Sequence, residues 1–209
     1  QSIIEYYGGD CATRKGNQSE GKHTGNFFEF EVSNSDVLET YKEAPETPSA
    51  AMAWKFYKAL GIEKSNYDFI KSSIHYDGVD KSTKIYTIDE LDLVNQKVSV
   101  IENWVKYVGN RDYDKVKSMM SDEVFEYPID EFVGNMDTIA SISGTPTGIK
   151  VYSFRYFELS DDKTGQSGGG KRMLHISFTM LRDKQDHECS VEFVADLKNN
   201  KLMNVKYMY

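Results

Sequence analysis

The sequence predicts an α+β protein built from two units, a smaller N-terminal one and a larger C-terminal one. Its 209 residues exceed the length of a typical single domain. The hydrophobic pattern changes abruptly at Ile88, where a long helical period begins, and after residue 148 the chain consists of β-rich runs. We therefore expect a flexible arm at 1–25, a small α+β unit at 26–88 and a larger α+β unit at 89–209.

The composition is that of a folded, acidic protein. Hydrophobic residues make up 39% of the chain and aromatic residues 13%, which is enough to build a core. The formal net charge is −8 and the Lys and Arg residues are scattered among acids, so we expect no nucleic acid partner. No apolar run reaches the roughly 18–20 residues that span a bilayer, so we expect no membrane span.

Compartment and redox state are weakly constrained by the sequence. The chain begins at Gln1 rather than Met, which fits a mature product that has lost an export signal or a trimmed chain, so the compartment stays open. An exported bacterial protein, periplasmic or secreted, is the favoured expectation. Cys11 and Cys189 are the only cysteines, and they could form a disulfide or remain separate thiols.

The N-terminal unit is predicted to combine strands with two helices. Residues 8–25 are rich in glycine and charge and predict a flexible segment, whereas the alternation of Phe28, Phe30 and Val32 predicts a strand. The motif "SNSD" (33–36) predicts the start of a short helix. The run "SAAMAWKFYKALG" (49–61) predicts a helix that ends at Gly61, and "YDFIKSSIHY" (67–76) with "KSTKIYTI" (81–88) predicts a strand pair.

The C-terminal unit is predicted to begin with two helices. Apolar residues recur every three or four positions from Ile88 onward, which predicts a long helix that is buried along much of its circumference: Leu91, Val94, Val98, Ile101, Val105 and Val108. The segment "GNRDYDKVKSMM" (109–120) predicts the end of this helix and a second helix with Asp112 as its N-cap.

Four β-rich runs follow the helices. They are rich in β-branched and aromatic residues: "IKVYSFRYFEL" (149–159), "KRMLHISFTML" (171–181), "ECSVEFVADL" (188–197) and "KLMNVKYMY" (201–209). Consecutive strands with short connections pair antiparallel, so these runs predict a meander. The glycine run in 167–171 lies between two of these strands and therefore predicts a hairpin loop rather than a phosphate-binding loop.

The order of motifs in the second half resembles a known superfamily. A long helix, "NRDYDKVKSMMSDEVFEYP" (110–128), a break at Phe132-Val133-Gly134, and a meander ending in "VEFVADLKNNKLMNVKYMY" are similar to the nuclear transport factor 2-like, or cystatin-like, fold over about 90–209. The resemblance implies a cone in which a helix packs across a curved antiparallel sheet. The superfamily includes enzymes, such as ketosteroid isomerases and polyketide cyclases, and also carrier and structural proteins, so the resemblance implies any of these three roles.

Carried onto this chain, the resemblance leaves both catalytic positions substituted. The isomerase base should precede Pro128, where this chain has Tyr127, and the nearest carboxylate is Glu126. Neighbouring strand residues point to opposite faces, so Glu126 reaches the pocket only if Tyr127 does not. The isomerases have a catalytic tyrosine in their first helix, and the matching position in this chain lies near Trp104. The Trp104 indole can donate a hydrogen bond but cannot exchange a proton. Glu126 is therefore the minority catalytic candidate, and Trp104 and Tyr127 are candidate pocket-lining residues.

The strands supply further candidate binding residues. Tyr152 and Phe154, with Tyr156, are predicted to line one strand face and could belong to the core or to an aromatic-lined pocket. His175 shares a face with Ser177 and Thr179, opposite an apolar core face. His175 and Glu192 on the next strand could be solvated sheet residues or could face a cavity.

Known catalytic and metal-binding patterns are missing from the sequence. The four histidines lack the spacing of zinc ligands, and there is no nucleophile elbow. We expect no cofactor and no metal. The favoured function is a non-catalytic binding or interaction module for a small apolar molecule or a protein partner. The alternatives are an isomerase, cyclase or hydratase with a pocket carboxylate, and a structural oligomerisation domain, with a homodimer through the sheet expected.

Overall fold

A computed structural model describes residues 3–78, 81–121, 128–159, 171–196 and 198–208. The chain divides into two compact units, Gln1–Asp92 and Leu93–Tyr209, and each contains helices and one four-stranded sheet. The predicted α+β class is therefore confirmed. The division between the units falls after Asp92 rather than after residue 88.

The N-terminal unit is a four-stranded sheet with helices between its strands. Its elements are α1 (Ile3–Tyr7), β1 (Asp10–Gln18), β2 (Gly25–Ser33), α2 (Asp36–Glu39), α3 (Glu46–Leu60), a 3₁₀ helix (Gly61–Asn66), β3 (Phe69–Ile74) and β4 (Ser82–Thr87). The sheet order is β1-β2-β3-β4; β2 and β3 are parallel, and the outer pairs are antiparallel. The predicted pairing of β3 with β4 is confirmed.

The flexible arm predicted at 1–25 was wrong. Residues within it form α1 and β1, and β1 pairs with β2 along its whole length, from Asp10 opposite Ser33 to Gln18 opposite Gly25. The strand lacks apolar alternation because nearly all of its side chains are exposed. Its order comes from the backbone hydrogen bonds of the β1–β2 ladder, which no side-chain pattern reveals.

Helix α3 packs on one face of the N-terminal sheet. The Phe56 ring lies 4.7 Å from the Phe28 ring and 5.2 Å from the Phe30 ring, measured between centroids. The helix ends at Gly61, whose φ of 54° lies in the left-handed region that glycine adopts readily, as predicted. The Ser35 hydroxyl caps α2 by accepting the Leu38 N–H at 3.1 Å, which confirms the predicted helix start.

The C-terminal unit consists of helices followed by an antiparallel meander. Its elements are α4 (Ile88–Gly109), which begins in the N-terminal unit, α5 (Tyr113–Met119), α6 (Ile129–Ser143), β5 (Pro146–Leu159), β6 (Lys171–Arg182), β7 (His187–Val194) and β8 (Asn204–Met208). The strand order is β5-β6-β7-β8, and every neighbouring pair is antiparallel. The predicted long helix, second helix and meander are all present.

One local prediction for the helices was wrong, and another is confirmed in position alone. The break at Phe132-Val133-Gly134 was wrong, because α6 runs through it. An exposed glycine weakens a helix by about 1 kcal/mol, and burial of Val133 and Met136 on the inner side of α6 offsets that cost. Asp112 stands at the N-cap of α5 but makes no capping hydrogen bond; its carboxylate instead accepts the Lys115 ammonium at 2.6 Å.

The two faces of the C-terminal sheet differ in character. Alternate residues of β6 are fully buried and form the core face: Leu174, Ile176, Phe178 and Met180. His175, Ser177 and Thr179 lie half-buried on the opposite face, as the alternation predicts. Cys189 is buried in β7 and Cys11 is exposed in β1, and both are free thiols.

No helix in the part of the chain that the structure describes combines the length and the hydropathy needed to cross a lipid bilayer.

Candidate binding site

Trp104 and Phe154, two of the predicted binding residues, belong to the core. Trp104 lies on α4 and is fully buried, and its indole N–H has no hydrogen-bond partner among the described residues. Phe154 is buried on β5, where it pairs with Ile176 of the core face. Both side chains are placed for packing inside the unit.

Tyr152 does not share a face with Phe154, contrary to the prediction. The register between β5 and β6 shifts between Val151 and Ser153, so Tyr152 lies in an irregularity of the strand. Its hydroxyl interacts with the Ser177 hydroxyl on the polar face. A one-residue shift reverses the side-chain alternation, and the sequence carries no signal for it.

The polar face of the sheet gathers three of the predicted residues into one group. We call this group the sheet-face cluster: Tyr152, His175, Ser177, Glu192 and Asn204. His175 Nδ1 lies 3.3 Å from Glu192 Oε1, and His175 Nε2 lies 3.2 Å from Ser177 Oγ. Asn204 donates from Nδ2 to the other carboxylate oxygen of Glu192 at 3.4 Å. His175 and Glu192 lie opposite each other in the β6–β7 register.

The electrostatics of the sheet-face cluster favour a fixed negative charge. The hydrogen bond with His175 lowers the pKa of Glu192, and the bond from Asn204 acts in the same direction. Burial raises the pKa of the Tyr152 hydroxyl. Glu192 therefore stays ionised and Tyr152 stays protonated near neutral pH, so the cluster can donate and accept hydrogen bonds.

The predicted site residues are thus not brought together in one pocket. Trp104 and Phe154 are core residues, whereas Tyr152, His175 and Glu192 lie on the other face of the sheet. Glu126 and Tyr127 lie in 122–127, outside the described residues.

A groove in the C-terminal unit lies beside α4 and the loop that follows β7. We call it the α4–loop groove. Its volume is about 540 Å³, and its lining comes from three segments: Val100 and Asn103 of α4, Ser118 and Met119 of α5, and the loop residues Asp196, Lys198, Asn199, Asn200 and Lys201. The volume lies within the range of small-molecule sites, about 300–1,000 Å³.

A fully buried lysine fixes the loop that forms one wall of this groove. The ammonium of Lys97, on α4, donates to the Asp196 carbonyl at 2.7 Å, to the Asn199 carbonyl, and to Asn200 Oδ1 at 3.1 Å. Burial lowers the pKa of this ammonium, and the nearby Asp196 charge opposes that shift. The three hydrogen bonds hold the start and the middle of the loop against the helix.

Side chains of the loop also bond its own backbone. Asp196 Oδ1 accepts the Lys198 N–H at 2.8 Å, and Asn199 Oδ1 accepts the Lys201 N–H at 3.0 Å. These local bonds are the turns that Asp and Asn form two residues ahead. The loop is continued by a bridge between Met120 and Leu202, so its conformation is set from both sides.

Sequence reasoning missed this groove because the loop was interpreted as a simple hairpin connection. One signal was available: Lys97 lies three residues after Val94 and four before Ile101, on the apolar stripe of α4. A lysine on a buried stripe requires acceptors for its ammonium. The asparagine-rich "DLKNNK" (196–201) is the kind of segment that supplies them.

The N-terminal unit contains a separate network of ion pairs around Glu29 of β2. The Glu29 carboxylate accepts Arg14 Nε at 2.5 Å, the Lys81 ammonium at 2.9 Å and the Ser73 hydroxyl at 2.8 Å. Lys81 also donates to Glu31, whose other oxygen lies 2.7 Å from His75 Nε2. Among the described residues, no three His, Cys, Asp or Glu side chains converge as metal ligands.

The chain was compared with known families, curated proteins and solved structures. No family model matches the chain, and no curated protein matches its sequence. Among solved structures, the chain is similar to Bd1075 of Bdellovibrio bacteriovorus, at a TM-score of 0.38 and 10% identity. The match covers 90% of this chain and 62% of that protein, so the chain spans less than two thirds of its length.

Proposed function

We propose that the chain is a non-catalytic binding module whose C-terminal unit adopts a nuclear transport factor 2-like arrangement and binds a small ligand in the α4–loop groove. The fold part of the proposal is supported by the order of elements, a long helix and two shorter ones followed by an antiparallel meander with one apolar face. We also propose that the sheet is curved into the cone typical of that fold.

The observation that carries the binding role is the loop held by Lys97. Keeping a lysine fully buried costs free energy, and its ammonium is satisfied only while the loop keeps one conformation. A loop fixed before the ligand arrives loses little conformational entropy on binding. The groove therefore offers a site of suitable volume with a wall that needs no reorganisation.

The described ionisable groups favour binding over proton transfer. A general acid or base needs a pKa near the working pH, which for a carboxylate means a raised value. The pKa of Glu192 is lowered instead, and its carboxylate is bonded to His175 and Asn204. An isomerase-like role would depend on Glu126.

The proposal can be tested by NMR titration of the ¹⁵N-labelled chain with a library of small polar fragments. We expect binders to shift the backbone amides at 196–201 and 118–119. Asn103→Trp fills the groove and should weaken these binders at least tenfold, which corresponds to about 1.4 kcal/mol. Ser99→Trp, at an exposed position of the same helix outside the groove, should leave them unchanged. Shifts confined to other surfaces, or equal binding by Asn103→Trp, would remove the groove from the proposal.

A further inference from the structure

We infer that the α4–loop groove recognises an acidic ligand, a carboxylate or phosphate carried on a small polar body; this deepens the proposed function and depends on it. Hydrogen-bond donors and positive charges outnumber acceptors and negative charges along the lining of the groove.

The asparagine side chains of the loop present donors to the groove. Asn199 Oδ1 is occupied by the Lys201 N–H, and Asn200 Oδ1 accepts from Lys97 at 3.1 Å and from Gln96 at 3.3 Å. With one oxygen engaged by the loop backbone and the other by α4, the NH₂ groups remain to bond a ligand, because an amide offers two donors besides its oxygen. Both residues line the groove. A ligand rich in acceptors fits this wall.

Charge in the lining points the same way. The lining contains two lysines, Lys198 and Lys201, but one carboxylate, that of Asp196, which already accepts the Lys198 backbone N–H. Lys201 donates one of its three ammonium hydrogens to the Ser118 carbonyl and keeps two. The buried Lys97 ammonium adds a third positive charge behind the loop. The groove is thus locally cationic in a chain whose formal net charge is −8.

The same lining opposes the small apolar ligand expected from the sequence. Only Val100 and Met119 are apolar among the lining residues, and none of these residues is aromatic. An apolar molecule would cover the asparagine and lysine donors without replacing their hydrogen bonds to water, which is costly. Carboxylate or phosphate oxygens would form charge-assisted hydrogen bonds, which are about twice as strong as neutral ones.

A matched set of probes separates acid recognition from general binding. We suggest calorimetry and NMR titrations with D-glucuronate, glucose 6-phosphate and D-glucose, which share a sugar ring and differ in charge. We expect at least one of the two acids to shift the amides at 196–201 and to bind about tenfold more tightly than glucose. The acid that binds shows whether the source of charge is carboxylate or phosphate. Binding should weaken as salt is raised, because exposed ammonium groups are screened.

Variants assign the effect to the groove. Lys198→Gln should weaken binding of the acidic probe at least threefold, whereas Lys206→Gln, an exposed lysine of β8 outside the groove, should not. If glucose binds in the groove as tightly as the acids, or if Lys198→Gln has no effect, the preference for acids is overturned while groove binding stands. If no probe shifts groove amides although library fragments do, the acidic-ligand inference fails alone. If neither does, the proposed function fails as well.

Discussion

Glu29 in the N-terminal unit and Lys97 in the C-terminal unit are both charged side chains that the fold removes from water, with exposed fractions of 2% and 0%. Glu29 is compensated by charged and hydroxyl groups from β1, β3 and the segment before β4. Lys97 is compensated by three uncharged oxygens from one loop. Their pKa values are both lowered, but for opposite reasons.

The two buried charges differ in the cause of their pKa shifts and in the parts of the chain that supply their partners. Burial acts to raise the pKa of Glu29, but the hydrogen bonds from Lys81, Ser73 and Arg14 outweigh it and hold the value at about 2. For Lys97, burial itself is the main cause of the shift. The Glu29 network keeps some partners after one is lost, whereas the Asp196 and Asn199 carbonyls lose their ammonium donor together when Lys97 is removed. The following predictions test this contrast.

Replacing Lys97 should have the largest effect. Lys97→Met keeps most of the volume but leaves two loop carbonyls without their donor, while Asn200 Oδ1 keeps only the Gln96 amide. We expect a loss of about 2–5 kcal/mol in the unfolding free energy of the C-terminal unit, because each buried acceptor left unpaired costs about 1–3 kcal/mol. The measurement is urea unfolding followed by Trp104 fluorescence in a Trp54→Phe background, because one tryptophan lies in each unit. Lys106→Met, exposed on the same helix, should change stability by less than about 0.5 kcal/mol. A loss below about 1 kcal/mol for Lys97→Met would show that the loop does not depend on the ammonium.

Acid should remove the contribution of Glu29. A carboxyl whose folded pKa is depressed stabilises the fold above its unfolded pKa, and the stabilisation is lost as the pH falls through the folded value. Taking the shift from 4.5 to about 2, the contribution is about 3 kcal/mol at neutral pH. The difference in unfolding free energy between the wild type and Glu29→Gln should therefore shrink between pH 4.5 and 2. If the difference in unfolding free energy stayed constant over this range, the ion pairs and hydrogen bonds of Glu29 would not stabilise its ionised form.

Removing one partner of Glu29 should cost less than removing Lys97. Lys81 bridges Glu29 and Glu31 and is 28% exposed, so Lys81→Met should lose about 1–2 kcal/mol in the N-terminal unit while Arg14 and Ser73 retain Glu29. Chemical unfolding followed by Trp54 fluorescence in a Trp104→Phe background measures this. A loss as large as that of Lys97→Met would remove the contrast between a network and a single anchor.

Arg14 should contribute least. Its side chain is 65% exposed, and an exposed ion pair is worth about 0–1 kcal/mol because water and salt screen it. We expect Arg14→Gln to lose less than about 1 kcal/mol, close to the effect of Lys84→Gln, which removes the exposed Lys84–Glu46 pair at 2.7 Å. Unfolding at low and high salt compares the two, and a clearly larger loss for Arg14→Gln would place Arg14 among the main supports of Glu29.

Local periodicity explains which elements could be predicted from the sequence. The apolar stripe of α4 and the alternation of β6 each repeat over many residues, so their bounds and buried faces follow from the residues alone. Strand β1 could not be predicted, because its order depends on the β2 backbone rather than on its own side chains. Helix α6 was missed because Gly134 was interpreted as a break and the buried residues on either side of it were given less weight.

The site residues were harder to predict than the fold. Neither the irregularity at Tyr152 nor the convergence of Lys97 with a loop about a hundred residues later has a local pattern. Such contacts depend on register and loop conformation, which are tertiary properties. By contrast, alternation along each strand predicts that His175 and Glu192 lie on the polar face of the sheet, and the pairing of β6 with β7 places them opposite each other.

Strand β1 also covers the outer edge of β2. Strand β2 is rich in apolar side chains: Phe27, Phe28, Phe30 and Val32. When the backbone groups along the edge of such a strand are unpaired, they can form hydrogen bonds with a strand of another chain. β1 itself carries two exposed cationic residues, Arg14 and Lys15, and charged side chains on an edge strand discourage such self-association. A version of the protein shortened to begin after Gln18 would therefore be prone to aggregate, even though β1 places almost no side chain in the core.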